Sequence, residues 1–131
     1  MEGDGRLRPT CTQPFLDCLA YRIDTDFGSV VFTGDTEPCE TVVDLARGAD
    51  MLFSMCWDLD ESMKANREHT GQTGSTGAGQ MAADAGVKRL VLIHHGPQLD
   101  KEVLQAAALE EASSNYDGEV VFGDEGMKLS L

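Results

Sequence analysis

The chain has 131 residues, enough for one domain with a sizeable core, and sets 10 Lys and Arg against 23 Asp and Glu for a formal charge of −13. A surface of that sign repels phosphate backbones, so nucleic acid is not an expected partner of this segment unless a basic patch is supplied from elsewhere. No apolar run approaches membrane-spanning length and the polar start shows no signal peptide, while Cys11, Cys18, Cys39 and Cys56 form no CxxC pair, so reduced thiols in a cytoplasmic setting are expected.

Residues 1–14 are rich in Gly, Pro, Thr and Arg and read as irregular chain. Leu19-Ala20-Tyr21-Arg22-Ile23-Asp24 alternates apolar with polar, the pattern of a half-buried strand. Asp26-Phe27-Gly28 reads as a tight turn into a second strand, Ser29–Thr33, which makes a hairpin. Pro38 stands at the expected first position of a helix, with Cys39, Val42, Val43 and Ala46 on one face and Gly48 closing it. Asp50–Met55 is a third strand, followed by a polar stretch to Glu68 in which Asp58 and Asp60 look like solvated loop.

His69 to Gly77 is rich in glycine and hydroxyl residues and reads as a loop. Ala78, Met81, Ala82 and Ala85 form a helical stripe of small residues, closed by Gly86, and Val87–Ile93 is a fourth strand. Leu99, Val103, Ala106 and Ala107 place another helix, and Glu119–Phe122 and Met127–Leu131 close the chain as strands. The expected order is β-β-α-β-α-β-α-β-β, an α/β layered fold in a single domain over 1–131.

Two strands end on residues able to bind metal. Val30-Val31-Phe32-Thr33 stops at Gly34-Asp35, where the glycine allows a sharp turn and the carboxylate projects beyond the strand. The competing reading of Asp35 is an acidic residue ahead of the following helix, stabilised by its dipole. Leu90-Val91-Leu92-Ile93 runs into His94-His95. His94 is a ligand candidate or a core histidine, and His95 should point to the opposite face. His69 lies in a loop, where it is either a general acid or a solvated side chain. The glycine-rich segment at residues 71–79 lacks the Lys of a phosphate-binding P-loop.

Phe32-Thr33-Gly34-Asp35-Thr36-Glu37-Pro38, Ala46-Arg47-Gly48-Ala49-Asp50, His69-Thr70 and Ala85-Gly86-Val87-Lys88-Arg89-Leu90-Val91-Leu92-Ile93-His94 form an ordered set. The set resembles the second half of the metallo-β-lactamase-fold hydrolases, in the ribonuclease Z-like phosphodiesterase branch, over residues 11–131. The resemblance implies one half of an αββα sandwich with a two-zinc site. In it Asp35 would bridge the metals, His94 would be the last histidine ligand, and His69 would assist the leaving group.

Three departures accompany the likeness. The family's His-x-His-x-Asp-His is absent, so four ligands are missing. Cys11 stands where a histidine ligand is expected. The loop from His69 to Ala78 is about three residues longer than the ribonuclease Z pattern that the resemblance brings. The implied function is zinc-dependent hydrolysis of a small ester or phosphodiester. The implied partner is a first-half chain or a second copy covering the exposed sheet face. The alternative is a truncated relative that has lost the site and serves in binding or assembly.

Overall fold

The computed structural model describes residues 4–12 and 16–131. Six strands form one sheet in the order β1-β2-β3-β4-β5-β6: β1 (Asp4–Pro9), β2 (Leu19–Thr25), β3 (Gly28–Phe32), β4 (Met51–Cys56), β5 (Arg89–His95) and β6 (Glu119–Phe122). β1, β2 and β3 are antiparallel neighbours, and β3 to β6 run parallel. Parallel neighbours need crossovers, and helices supply them: α1 (Glu40–Ala46) between β3 and β4, α2 (Asp60–Asn66) and α3 (Ser75–Ala85) between β4 and β5, and α4 (Glu102–Ser113) before β6.

The α/β class is as the sequence implies, but both ends of the expected order change. Asp4–Pro9 is a strand rather than irregular chain, while residues 13 and 14 of that stretch lie outside the described residues. β1 is exposed along its whole length and pairs in the sheet with β2, and it carries no apolar alternation to read. Its order rests on backbone pairing and on Arg6, whose Nη2 lies 2.8 Å from Asp24 Oδ2. Met127–Leu131 alternates like a strand yet joins no ladder. It crosses the sheet instead: Met127 and Leu129 line a cavity with Phe53, Val91 and Ile93, Ser130 O accepts a bond from Arg89 Nη1, and Leu131 reaches Gly28.

Three further details differ. α2 replaces the expected polar loop, because its one buried residue, Met63, leaves no period to detect. Asp58 is buried rather than solvated and its Oδ1 accepts the Leu59 amide, while Asp60 Oδ2 accepts the Thr76 amide at the start of α3. The last helix begins at Glu102 and buries Ala108 and Ala112, so Val103 faces solvent and Leu99 belongs to a 3₁₀ turn, Pro97–Asp100. Pro38 likewise precedes α1, whose cap is Cys39.

The core lies between the sheet and the helices. Val31, Leu52, Leu90 and Leu92 meet Val42, Ala46, Met81 and Ala82 there. The small residues of α3 serve the contact expected of them and one more: a Cβ on Gly79 would stand 2.1 Å from the Ala112 carbonyl oxygen, so α3 and α4 touch backbone to backbone. On the other sheet face Tyr21, Phe32, Phe53, Val91 and Val121 lie side by side in register, with the Phe32 and Phe53 rings stacked at 4.6 Å. Among the described residues no helix is long and apolar enough to cross a membrane, and all four cysteines are free.

Asp50 ties the starts of three strands together. Its Oδ2 accepts the Ser29 amide at 2.8 Å and its Oδ1 meets Lys88 Nζ at 2.6 Å. These two partners, Lys88 first, hold the carboxyl below its ordinary value of 3.8. A depressed carboxylate stabilises the fold above that value and loses the effect as pH falls through the folded pKa. Asp50→Ala should therefore cost about 1–3 kcal/mol at pH 7 in urea unfolding, and the difference from wild type should shrink below pH 3.8.

Candidate active site

β3, β4 and β5 are parallel neighbours, so their carboxyl ends lie together, the usual position of sites in such sheets. Asp35 and Trp57 stand just past the ends of β3 and β4, and His94 is the penultimate residue of β5. Together with Gly71 and Gln72 they line a cavity of about 330 Å³.

Asp35 is delivered by a turn with little freedom. Gly34 has φ 62, and a Cβ there would meet Leu19 O at 2.7 Å and Cys18 Sγ at 2.9 Å. The position therefore requires glycine on both conformational and steric grounds. The Asp35 amide donates to Cys18 Sγ at 3.2 Å, and Thr10 Oγ1 donates to the Asp35 carbonyl at 2.9 Å. Thr36 is fully buried; its carbonyl accepts Thr73 Oγ1 at 2.6 Å. With its backbone held on both sides, Asp35 presents a half-exposed carboxylate. It is not a helix cap, since α1 starts only at Glu40.

His94 is delivered by a bulge. Met55 pairs with Ile93 and Cys56 with His95, so His94 is an extra residue on β5. Its φ of 53 is left-handed, a conformation that costs a non-glycine residue about 1 kcal/mol or more. The bulge takes the imidazole out of the alternation and onto Asp35: His94 Nδ1 lies 2.8 Å from Asp35 Oδ1. A carboxylate only accepts, so Nδ1 carries the hydrogen and Nε2 is the nitrogen left for a ligand. Trp57 holds the ring from its edge, with centroids 6.2 Å apart and planes at 89°. The indole is itself anchored by Nε1 on Glu68 Oε2 at 3.2 Å.

His95 takes no part. Its ring stacks on Phe122 at 3.9 Å and its Nε2 donates to the Leu92 carbonyl at 3.0 Å. Burial pushes its pKa down and favours the neutral ring. His69 is exposed, two residues before Gly71. Glu37 Oε2 accepts the Gly71 amide at 3.1 Å, which ties that loop to the Asp35 turn.

Cys11 lies beside this turn but faces another way. Its amide donates to Thr36 Oγ1 at 3.1 Å and its carbonyl accepts the Glu37 amide at 2.7 Å. Its thiol, however, donates to the sulfur of Cys39, which with burial raises it to about 11. Burial pushes Cys39 up, but hydrogen bonds from Cys11, Thr41, the Val42 amide and Thr36 prevail and bring it to about 7.

Asp35 and His94 therefore converge, and the residues that line their cavity include neither Cys11 nor His69. An oxygen and an imidazole nitrogen are donors that zinc accepts, and both open on the cavity, so the pair fits part of a metal site. Among the described residues no group of three His, Cys, Asp or Glu is placed to hold a metal. Trp57, Cys18 and Cys39 were not singled out from sequence as site residues. Trp57 could have been found by the strand-end rule that picked out Asp35.

The family model described as beta-lactamase superfamily domain matches residues 3–95. Ribonuclease Z of Haloferax volcanii is 32% identical over 103 residues, 79% of this chain and 32% of that protein. The metallo-beta-lactamase fold protein YhfI from Bacillus subtilis superposes with a TM-score of 0.81 at 24% identity, covering 95% of this chain and 48% of that one. The short form of human tRNase Z superposes at 0.68 and 19% identity, covering 96% and 41%. The chain thus spans about a third of the length of the curated relatives it matches.

The Gly34 turn yields a test. Gly34→Ala should destabilise the protein by more than about 1 kcal/mol. It should also separate Asp35 from His94, seen as a change in the His94 imidazole NMR signals. Unchanged signals and an unchanged urea midpoint would show that the turn does not set the site.

Proposed function

We propose that this chain, which belongs to the beta-lactamase superfamily and to its ribonuclease Z-like branch, supplies part of the active site of a metal-dependent phosphodiesterase or related esterase. The observation that carries the reading is the 2.8 Å contact between Asp35 and His94 at the carboxyl ends of parallel strands. Zinc is the metal that this oxygen and nitrogen donor set favours. When bound, divalent metal would lower the pKa of water and polarise a phosphoryl oxygen.

Within this chain Asp35 offers a carboxylate for that metal, and His94 offers Nε2. The Asp35 contact and the Trp57 edge fix the imidazole's orientation before any ligand arrives, which lowers the entropic cost of binding. His69, in the loop that leads into Gly71 and Gln72, is the proposed proton donor to the leaving oxygen. Cys11 is left out of the ligand set, because its thiol is engaged by Cys39. The remaining donors belong to a His-x-His-x-Asp-His half. The charge of −13 supports a small ester or phosphodiester substrate over tRNA. The shortage of a third donor favours a second reading, a binding or assembly domain without catalysis.

The open face carrying Tyr21, Phe32 and Phe53 is where we infer that a first-half chain or a second copy packs. Sedimentation of the isolated chain should accordingly show dimers or larger species; a well-folded monomer would count against the inference.

In isothermal titration the isolated chain should bind zinc weakly, and tight stoichiometric binding would contradict an incomplete site. With a His-x-His-x-Asp-His half present, Asp35→Ala should slow zinc- or manganese-supported hydrolysis of bis-p-nitrophenyl phosphate by more than about 100-fold. An unchanged rate would remove Asp35 from the mechanism.

A further inference from the structure

Cys11 and Cys39 lie close together beside the Asp35 turn, on two chain segments laced together by hydrogen bonds. On one side Thr36 Oγ1 accepts the Cys11 amide at 3.1 Å and lies 3.7 Å from Cys39 Sγ. On the other, Thr41 Oγ1 lies 3.2 Å from Cys39 Sγ and donates to the Pro9 carbonyl at 3.0 Å. The Glu37 amide bonds the Cys11 carbonyl at 2.7 Å between them. These shared partners hold the two cysteines as neighbours on segments already bonded to each other, as a disulfide between them requires.

Both sulfurs are also reachable. Cys11 is exposed, and Cys39 lines a groove of about 510 Å³ between α1 and α3 with Pro38, Val43, Gln80 and Met81. The other two cysteines are differently placed. Cys56 is fully buried, and Cys18 Sγ receives the Asp35 amide.

We propose that Cys11 and Cys39 are a reversible dithiol–disulfide site, oxidised by a low-molecular-weight disulfide of the glutathione class. The Cys39 sulfur, approached through the groove, attacks one sulfur of the small disulfide. A protein–small-molecule disulfide forms and one small thiol leaves. The Cys11 sulfur then attacks Cys39 Sγ, closes the bond between residues 11 and 39, and expels the second small thiol. Two protons and two electrons pass from the protein dithiol to the small disulfide. The product fastens Thr10 and Cys11, which bond the Asp35 carbonyl, the Thr36 hydroxyl and the Glu37 amide, to the start of α1. Oxidation thus stiffens the turn that presents Asp35. The proposal does not depend on hydrolase activity.

The test is incubation of the chain with oxidised glutathione, alkylation of the remaining thiols, and peptide mass spectrometry. Wild type should give the Cys11–Cys39 cross-link with little glutathione retained. Cys11→Ser, at an exposed position, should retain glutathione on Cys39 at least about tenfold longer than wild type, for want of the resolving thiol. Hydrogen exchange at the Thr36 and Glu37 amides should slow on oxidation of wild type but not of Cys11→Ser. Stable glutathione adducts in wild type, or a cross-link that uses Cys18 or Cys56 instead, would overturn the proposal.

Discussion

The 2.8 Å contact between His94 Nδ1 and Asp35 Oδ1 is the constraint around which the molecule's business end is arranged. The residues come from non-adjacent strands, with β4 between them. For them to touch, the chain after β3 must turn early, and the chain at the end of β5 must lift a side chain out of the pleat. The first is achieved by Gly34, the only residue type its surroundings admit, and the second by a bulge with left-handed backbone at His94. Both are local departures from favourable geometry. They persist because the neighbouring chain is fixed by buried bonds: Thr33 to Phe53, Thr36 to Thr73, and Gly96 to Trp57. Strain held by surrounding order at a strand end is more characteristic of ligand sites than of packing.

Packing explains how much order stands behind the site. The helices cover one face of the sheet and bury Val31, Leu52, Leu90 and Leu92 under α1 and α3. That face fixes the positions of β3, β4 and β5 relative to one another, and hence of the residues beyond their ends. The other face is apolar too, through Tyr21, Phe32 and Phe53, but receives only the crossing of residues 127–131. A layered α/β fold ordinarily buries both faces of its parallel strands. Among the described residues two donors, Asp35 and His94, converge beyond the parallel strands.

The parts of this design visible in the sequence are those that leave a periodic or punctuated trace. The strand Val30–Phe32 with its terminal Gly34-Asp35, the stripe of Ala78, Met81, Ala82 and Ala85, and the run into His94 were all readable. β1 was not, since a fully exposed edge strand of Asp, Gly, Arg and Pro has no alternation to betray it. α2 was hidden because one buried methionine sets no period. Residues 127–131 misled in the opposite direction, alternating like a strand while the chain crosses the sheet rather than extending it. Cys11 was found beside the site but not for what its thiol touches. Its partner Cys39 is 28 positions away, and only the fold brings the two together.

The strap formed by residues 10–12 connects these observations. It follows the exposed strand β1 and is itself partly exposed, yet the Thr10 hydroxyl holds the Asp35 carbonyl and the Cys11 backbone holds Thr36 Oγ1 and the Glu37 amide. The exposed edge of the sheet therefore helps to position the Asp35 carboxylate. Edge strands open more readily than central ones. The backbone bonds of the strap break with such opening, whereas a covalent tie between Cys11 and Cys39 would not. The two thiols thus lie at a contact where fixing the edge also fixes the Asp35 turn.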